Sequence, residues 1–405
     1  MNLDEVKKKD NLIEINDLIF KYYKKQKNES IKIDKLEIPK NQIIALLGPS
    51  GSGKTTLLNL LLGFLKPTSG KINIENNPKI HEISYIMQEN SIYENVSVFN
   101  NVFLSAKNYE KWVDSVRLAF FNEYFANAND PELVSKYNPY LEKIFKSKSS
   151  KISKKLNFFI LVLKLFFDKK IKDKFGFFKS MKLKTLFKKE FEIVANKIGI
   201  GEFIHKNVNE LSGGQKQRVA FAKGIIKKTN LVLMDEPFSA LDAKIKESTI
   251  EWLINIKKEF NLSIIVVTHD QQDALKLSDS IILMDNGVIQ QFSSGADMYE
   301  DPNNLFVAKF IGSPEINYIG TVDNISYYIR HNKLTIIKDQ NGSFEIIDRK
   351  DFGDKIHYTA KFNDKVWSLV TKDWTISIGQ RVNVSYKFED VLAFDIYGNR
   401  VLRSK

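Results

Sequence analysis

Cysteine is absent from the 405 residues. That excludes disulfides, thiolate metal sites and a cysteine nucleophile, and it suits a reducing compartment. Long apolar runs are missing too. The longest candidate, Leu156–Phe167, is interrupted by Lys164 and falls short of the roughly 18 residues of a membrane span. Met1–Asp10 is polar with no apolar stretch behind it, so no secretory leader is expected. Arginine is scarce, 7 of the 61 basic residues. With the many Asn and Ile, this bias reads as base composition of the source genome.

What is present is an ordinary globular balance of 43% apolar and 27% charged residues. It can bury a sizeable core, and the length suits two or three domains. The net charge of +12 is unevenly placed. Lys143–Lys189 holds 16 Lys, 9 Phe, 2 Asp and neither Arg nor Glu, so that stretch carries +14 and the rest is close to neutral.

Leu12–Phe20 and Ser30–Ile38 read as an antiparallel strand pair around a polar turn. Gln42–Leu47 is a continuous apolar run, as in a strand buried on both faces. Thr55–Leu65 reads as a buried helix ended by Pro67, and Gly70–Glu75 as another strand. Residues 98–210 read as mostly helical. Helices are then expected at Gln215–Lys227, Ala243–Glu259 and Gln271–Leu277, and strands at Leu231–Met234, Ser263–Val267 and Ser280–Met284. The alternation predicts an α/β fold with a largely parallel sheet and helices on both faces. From about Ser313, short β-branched runs and turn signals such as Asn341-Gly342 predict a small β-barrel, with the OB type one form it could take.

Gly48-Pro49-Ser50-Gly51-Ser52-Gly53-Lys54-Thr55 fits G-x-x-x-x-G-K-[ST] between a buried strand and a helix. Glycines let successive N–H groups turn inward on phosphate oxygens. The helix N-terminus adds its positive end. Lys54 supplies a point charge for the β/γ-phosphates, and Thr55 a hydroxyl for Mg²⁺. The apolar strand Leu231–Met234 runs into Asp235 and Glu236, at the end where ligands bind open α/β sheets. Asp235 suits Mg²⁺, through water, and Glu236 suits a general base on the attacking water. Leu211-Ser212-Gly213-Gly214-Gln215 is a second glycine pair at a helix start, with Ser212 as N-cap. It reads either as a capped helix after a tight turn or as a second anion site. One nucleotide needs one phosphate loop, so a second anion site points to another subunit's nucleotide.

Taken in order, these segments resemble the ATP-binding subunit of an ABC transporter: GPSGSGKTT as Walker A, LVLMDEP as Walker B and LSGGQ as the signature. The fold this implies is a P-loop NTPase cassette with a helical subdomain. The resemblance implies ATP and Mg²⁺ as ligands. It implies further roles: Gln88 as the Q-loop residue near Mg²⁺ or water, Asp242 in the D-loop, His269 as the switch histidine on the γ-phosphate, and Thr56 beside Thr55 on ATP. An aromatic residue stacking on adenine would be Tyr22 or Tyr23, with spacing favouring Tyr22. Gly287–Asn317 and Val391–Asp395 are similar to importers with a C-terminal regulatory domain, most of all those for sugars and glycerol 3-phosphate. Polyamine importers share much of this text, and Ala274–Asp279 leans their way.

The domains expected are a cassette (1–107 and 191–312), an extended helical subdomain (108–190) and a β-barrel regulatory domain (313–405). The helical region is longer than the family usually shows, and the C-terminal domain is short for a sugar importer. The partners implied are a second copy paired head to tail, two transmembrane permease subunits and, indirectly, an extracytoplasmic solute-binding protein. The location implied is the cytoplasmic face of the cell membrane. The basic insert reads as a helical elaboration with a solvated lysine face, or as an interfacial segment on anionic lipid. Nucleic acid is not expected as a partner, since no reader motif accompanies the lysines. A soluble ABC ATPase acting on nucleic acid or ribosomes is the alternative of another class. One phosphate loop, one signature, no sustained heptads and a β-rich tail favour import.

Overall fold

The computed structural model describes residues 11–23, 28–87, 92–128, 130–146 and 150–401. The chain opens with strands β1 (Asn11–Phe20) and β2 (Ile31–Pro39). They pair antiparallel from Ile13↔Ile38 to Phe20↔Ile31. Strand β3 (Ile43–Leu47) is buried at all its positions. Helix α1 (Lys54–Leu62) follows the glycine loop. It ends at Gly63, left-handed at φ 77° and with its N–H turned back to Asn59 and Leu60, four residues before the expected stop at Pro67. Strands β4 (Ser69–Ile74) and β5 (Ser84–Ile86) complete the first part.

Among the described residues six α-helices come next: α2 (Val98–Lys107), α3 (Glu110–Asn127), α4 (Pro131–Leu141), α5 (Lys151–Phe167), α6 (Lys174–Ser180) and α7 (Leu183–Lys197). The α/β alternation then resumes with α8 (Gly213–Ile225), β6 (Leu231–Asp235), α9 (Ala243–Phe260), β7 (Ser263–Val267), α10 (Gln271–Leu277), β8 (Ser280–Asp285) and β9 (Val288–Ser293). Short helices α11 (Gly295–Glu300) and α12 (Leu305–Phe310) close it.

The main sheet has nine strands in the order β4-β1-β2-β9-β8-β3-β7-β6-β5. Its centre, from β8 to β5, is parallel as expected. Beyond it, β2 also pairs parallel with β9 at Lys32↔Val288, but the other pairings are antiparallel. β1 pairs antiparallel with β2 and β4, and β9 with β8, so the sheet is mixed rather than largely parallel. Alternate side chains of β3 serve two layers. Ile43 joins the core under α8 and α9, while Ile44 and Leu46 join the core under α1. Helices therefore cover both faces of the strand that feeds the glycine loop.

α3 runs between two cores. Its first turns bring Trp112 against Phe187 and into the cassette core. Its last turns bring Phe121 and Phe125 into a separate core with Tyr137, Leu141, Leu161, Leu165 and Phe177. The basic insert is thus a packed helical unit with an aromatic interior, each such ring contributing about 1.5–3 kcal/mol on burial.

The C-terminal region is all-β: β10 (Asn317–Val322), β11 (Ile325–Ile329), β12 (Thr335–Lys338), β13 (Phe344–Asp351), β14 (Ile356–Phe362), β15 (Lys365–Thr371), β16 (Arg381–Ser385) and β17 (Leu392–Phe394). They form antiparallel sheets of three and five strands, compatible with a small barrel. Asn317 joins the two. Its side chain accepts from the Ser368 N–H at 2.7 Å and donates to the Ser368 carbonyl at 3.0 Å. The region is tied to the cassette by Arg330, only 3% exposed. Its guanidinium donates to the carbonyls of Ala308, Ile311 and Tyr299, at the ends of α11 and α12.

Candidate functional site

The glycine loop sits between β3 and α1. Gly51 and Gly53 are left-handed, at φ 81° and 100°. At Gly48 a Cβ would lie 2.2 Å from the Met284 carbonyl oxygen, so only glycine fits. Lys54 folds back on its loop, its Nζ donating to the carbonyls of Gly48 and Pro49 at 2.8 Å each. Burial pulls its pKa down, while the charges of Glu236 and Asp235 oppose the shift. Ser52 is buried, and its hydroxyl has no partner among the described residues. A buried donor inside the loop and an ammonium resting on carbonyls suit an incoming phosphate.

A cavity of about 500 Å³ opens here, lined by Ser50, Gly51, Gly53, Lys54, Thr55, Thr56, Glu236 and His269. Pro49 shapes the loop through its carbonyl. Tyr22 stands beside the loop, its hydroxyl 2.8 Å from Thr56 Oγ1 and its ring edge-on to Phe20 at 4.9 Å. It is half exposed, and Tyr23 more so. The contact with Thr56 makes Tyr22 the tyrosine fixed at the loop.

β6 delivers Asp235 at its last position. Burial pushes the Asp235 carboxyl up in pKa, the Glu236 charge pushes further, and Lys54 pulls it down. Glu236 is left-handed at φ 43° and donates its N–H to the Val267 carbonyl at 3.0 Å. That turn sends its side chain into the cavity. His269, two residues past β7, places Nδ1 3.0 Å from Glu236 Oε1. The ring holds the carboxylate when Nδ1 carries its proton. Of the two carboxylates only Glu236 lines the cavity with Thr55; Asp235, one residue back at the end of β6, is not among the lining residues. Among the described residues no cluster of three or more acidic, His or Cys side chains could cage a metal. Thr55 and Asp235 would hold Mg²⁺, with phosphate and water oxygens completing its shell.

The signature segment lies elsewhere. None of residues 211–215 lines the cavity. Ser212 caps α8 in a reciprocal box: Gln215 N–H donates to Ser212 Oγ at 3.4 Å, and Ser212 N–H to Gln215 Oε1 at 3.0 Å. Ser212 and Gly213 are exposed, whereas Leu211 and Gly214 are buried. A Cβ on Gly214 would lie 3.0 Å from Ile245 and 3.3 Å from Thr249. The first glycine is exposed, although a Cβ on it would lie 2.9 Å from Leu241, and the second lets α8 pack on α9. Asp242 caps α9, accepting from Ile245 N–H at 3.0 Å, and is exposed. Gln88 lies outside the described residues.

One supporting element was not read from the sequence. β8 and β9 form a hairpin whose turn, Asn286-Gly287, has both residues left-handed at φ 47° and 77°. The Gly287 N–H donates to the Ser52 carbonyl at 3.0 Å, so the turn buttresses the phosphate loop from outside. The signal was present: Asn-Gly is a strong hairpin dipeptide.

A buried parallel strand, a phosphate loop and a strand-end carboxylate pair define a P-loop nucleoside-triphosphatase. Residues 31–239 match the family model described as ABC transporter. The chain belongs to that family, and it is an ATP-binding subunit that hydrolyses ATP with Mg²⁺. Among its relatives is the spermidine/putrescine import ATP-binding protein PotA of Aster yellows witches'-broom phytoplasma (strain AYWB). It is 29% identical over 89% of this chain and 94% of that one. The protein of the same name from Borreliella afzelii (strain PKo) is 30% identical over 84% of this chain and 76% of its own length. A solved chain, CbiO1 from Clostridium perfringens, described as part of the ABC transporter complex CbiONQ, superposes with a TM-score of 0.48 at 20% identity, over 70% of this chain and 89% of that one.

Proposed function

We propose that this subunit powers import of a polyamine of the spermidine and putrescine class. The observation that carries the reading is coverage. The similarity to PotA of the phytoplasma spans 89% of this chain, well beyond the cassette that any ABC protein would share. This reverses the order suggested by residues 287–317 and 391–395, which favour sugars or glycerol 3-phosphate. That second reading rests on those two segments alone.

ATP would be held by the loop 48–56, with Tyr22 against adenine. Mg²⁺ held by Thr55 and Asp235 would neutralise charge on the phosphates. Glu236 accepts the proton of the attacking water, and His269 keeps that carboxylate in place and reaches the γ-phosphate. Ser212 and Gly213 are exposed and outside the cavity. This supports a head-to-tail pair in which each signature closes on the partner copy's nucleotide. Two permease subunits would carry the solute, supplied by an extracytoplasmic binding protein. The chain would then sit peripherally at the cytoplasmic face. Among the described residues no helix is long and apolar enough to cross a membrane.

The test is purification from its own membranes followed by uptake in proteoliposomes loaded with MgATP. The reading expects integral membrane partners and saturable spermidine or putrescine uptake. Uptake of sugar or glycerol 3-phosphate instead would overturn the solute. Co-purification with rRNA or DNA and no membrane partner would overturn import.

A further inference from the structure

Helix α5 is apolar on two sides. One side fills the insert's core, with Leu161 and Leu165 fully buried and Phe158 packed on Phe145. The other side faces solvent. Ile152, Leu156, Phe159, Leu163, Phe166 and Phe167 are exposed, by 81%, 59%, 59%, 42%, 49% and 74%. At 100° per residue these positions fall within a single stripe opposite the buried pair. The stripe is about 22 Å long at 1.5 Å per residue. Phe175, 82% exposed, continues it on α6, where Lys174 Nζ lies 5.5 Å over the Phe166 ring. Scattered surface apolar residues need no explanation, but a contiguous stripe of seven marks a docking face.

The charge around the stripe decides what it fits. Lys155, Lys169, Lys172 and Lys179 are exposed. The two acids of the segment are engaged locally. Asp168 is buried and accepts from Lys136 at 2.6 Å and Tyr137 at 2.7 Å. Asp173 caps α6 by accepting from Gly176 N–H at 2.8 Å. Asp130 and Glu132 of α4 are bridged by Lys170. An apolar stripe with cationic flanks matches a leaflet bearing anionic headgroups, with rings at acyl depth and lysines at the phosphates. A second copy would set the exposed Lys155, Lys169, Lys172 and Lys179 against their own counterparts, which disfavours self-association through this face.

We infer that the exposed face of α5 and α6 docks in the plane of an anionic lipid bilayer. The inference goes beyond the import reading and is tested without it. The full chain is floated with vesicles of phosphatidylcholine, with and without phosphatidylglycerol. It should float only with the anionic lipid, and raised salt should release it. Phe159→Ser combined with Phe167→Ser and Phe175→Ser should lower partitioning on the order of a hundredfold while leaving ATP hydrolysis unchanged, since all three side chains point away from the core. Lys169→Gln with Lys172→Gln and Lys179→Gln should cost on the order of a hundredfold as well. Equal flotation of the parent and either variant, or flotation indifferent to lipid charge, overturns the proposal. So does a parent chain that ignores vesicles but dimerises without nucleotide and becomes monomeric with the serine variant, which assigns the face to a second copy. So does a parent chain that ignores vesicles but binds detergent-solubilised permease through these phenylalanines. No permease is present in the vesicles, so flotation and transport can fail independently.

Discussion

In the proposed reaction two side chains carry most of the chemistry, and they differ in what their loss should do. Glu236 lines the cavity and is the one carboxylate in that lining, with His269 Nδ1 3.0 Å away. Glu236→Gln keeps the shape and removes the base. Nucleotide affinity should be retained while phosphate release slows by about a hundredfold to ten-thousandfold. Turnover near the parent rate in a phosphate-release assay would take the base role away. Lys54 acts on binding. Its ammonium rests on two backbone carbonyls; in the proposed complex it would exchange them for phosphate oxygens, and a charged hydrogen bond of that kind is worth about 1.5–3 kcal/mol. Lys54→Ala should therefore weaken MgATP binding by roughly tenfold to a hundredfold in titration calorimetry. An unchanged affinity would contradict the loop assignment. Both residues were legible in the sequence, because each sits at a fixed step in a motif. Ser52 was legible only as a loop member, since its buried hydroxyl is a matter of packing.

At the level of elements, the hairpin β8–β9 is the part least legible in the sequence. β9 is VIQQFS, with polar residues where a strand signal would want apolar ones. Its antiparallel pairing with β8 is one of the three that make the sheet mixed. Gly287 couples this hairpin to the nucleotide site. A Cβ there would lie 2.3 Å from the Ser30 carbonyl oxygen, on a residue already at φ 77°. Gly287→Ala should cost about 1–3 kcal/mol in thermal unfolding. It should also weaken MgATP binding, because the Ser52 carbonyl loses its support. A stability loss with affinity intact would show that the hairpin is scaffold alone.

The junction of α4 and α5 gives a pH-dependent counterpart. Burial alone would push the Asp168 carboxyl up. The bonds from Lys136, the Lys170 N–H and Tyr137 outweigh it and hold it down, from 3.8 to about 2. A depressed carboxyl stabilises the fold fully above its ordinary value, and the contribution fades as pH falls from 3.8 toward about 2. Hydrogen-exchange protection of α4 and α5 should drop across that window. In Asp168→Ala, protection should already be reduced at neutral pH, by about 2 kcal/mol. A pH-independent profile in the parent chain would sever the link. The aromatic interior of this unit was not foreseeable from composition, because helical periodicity does not say which of two apolar faces is buried.

For the whole molecule, the decisive feature is separation. The cavity gathers the loop, Glu236 and His269, while the signature's exposed Ser212 and Gly213 lie outside it. The sequence suggested this arrangement by containing two phosphate-type motifs, yet each could also be a capped helix. The structure shows that Ser212 does cap α8, so capping and phosphate contact must be separated by experiment. Ser212→Asp does so. Aspartate caps as well as serine, and α8 should keep its stability. The added carboxylate would, however, face a neighbour's triphosphate. In a Glu236→Gln background, MgATP should drive the chain to twice its mass in light scattering. Adding Ser212→Asp should return it to a monomer that still binds one MgATP. If the doubly substituted chain dimerises as before, the signature serves only its own helix, and the two-subunit enclosure of ATP has to be abandoned.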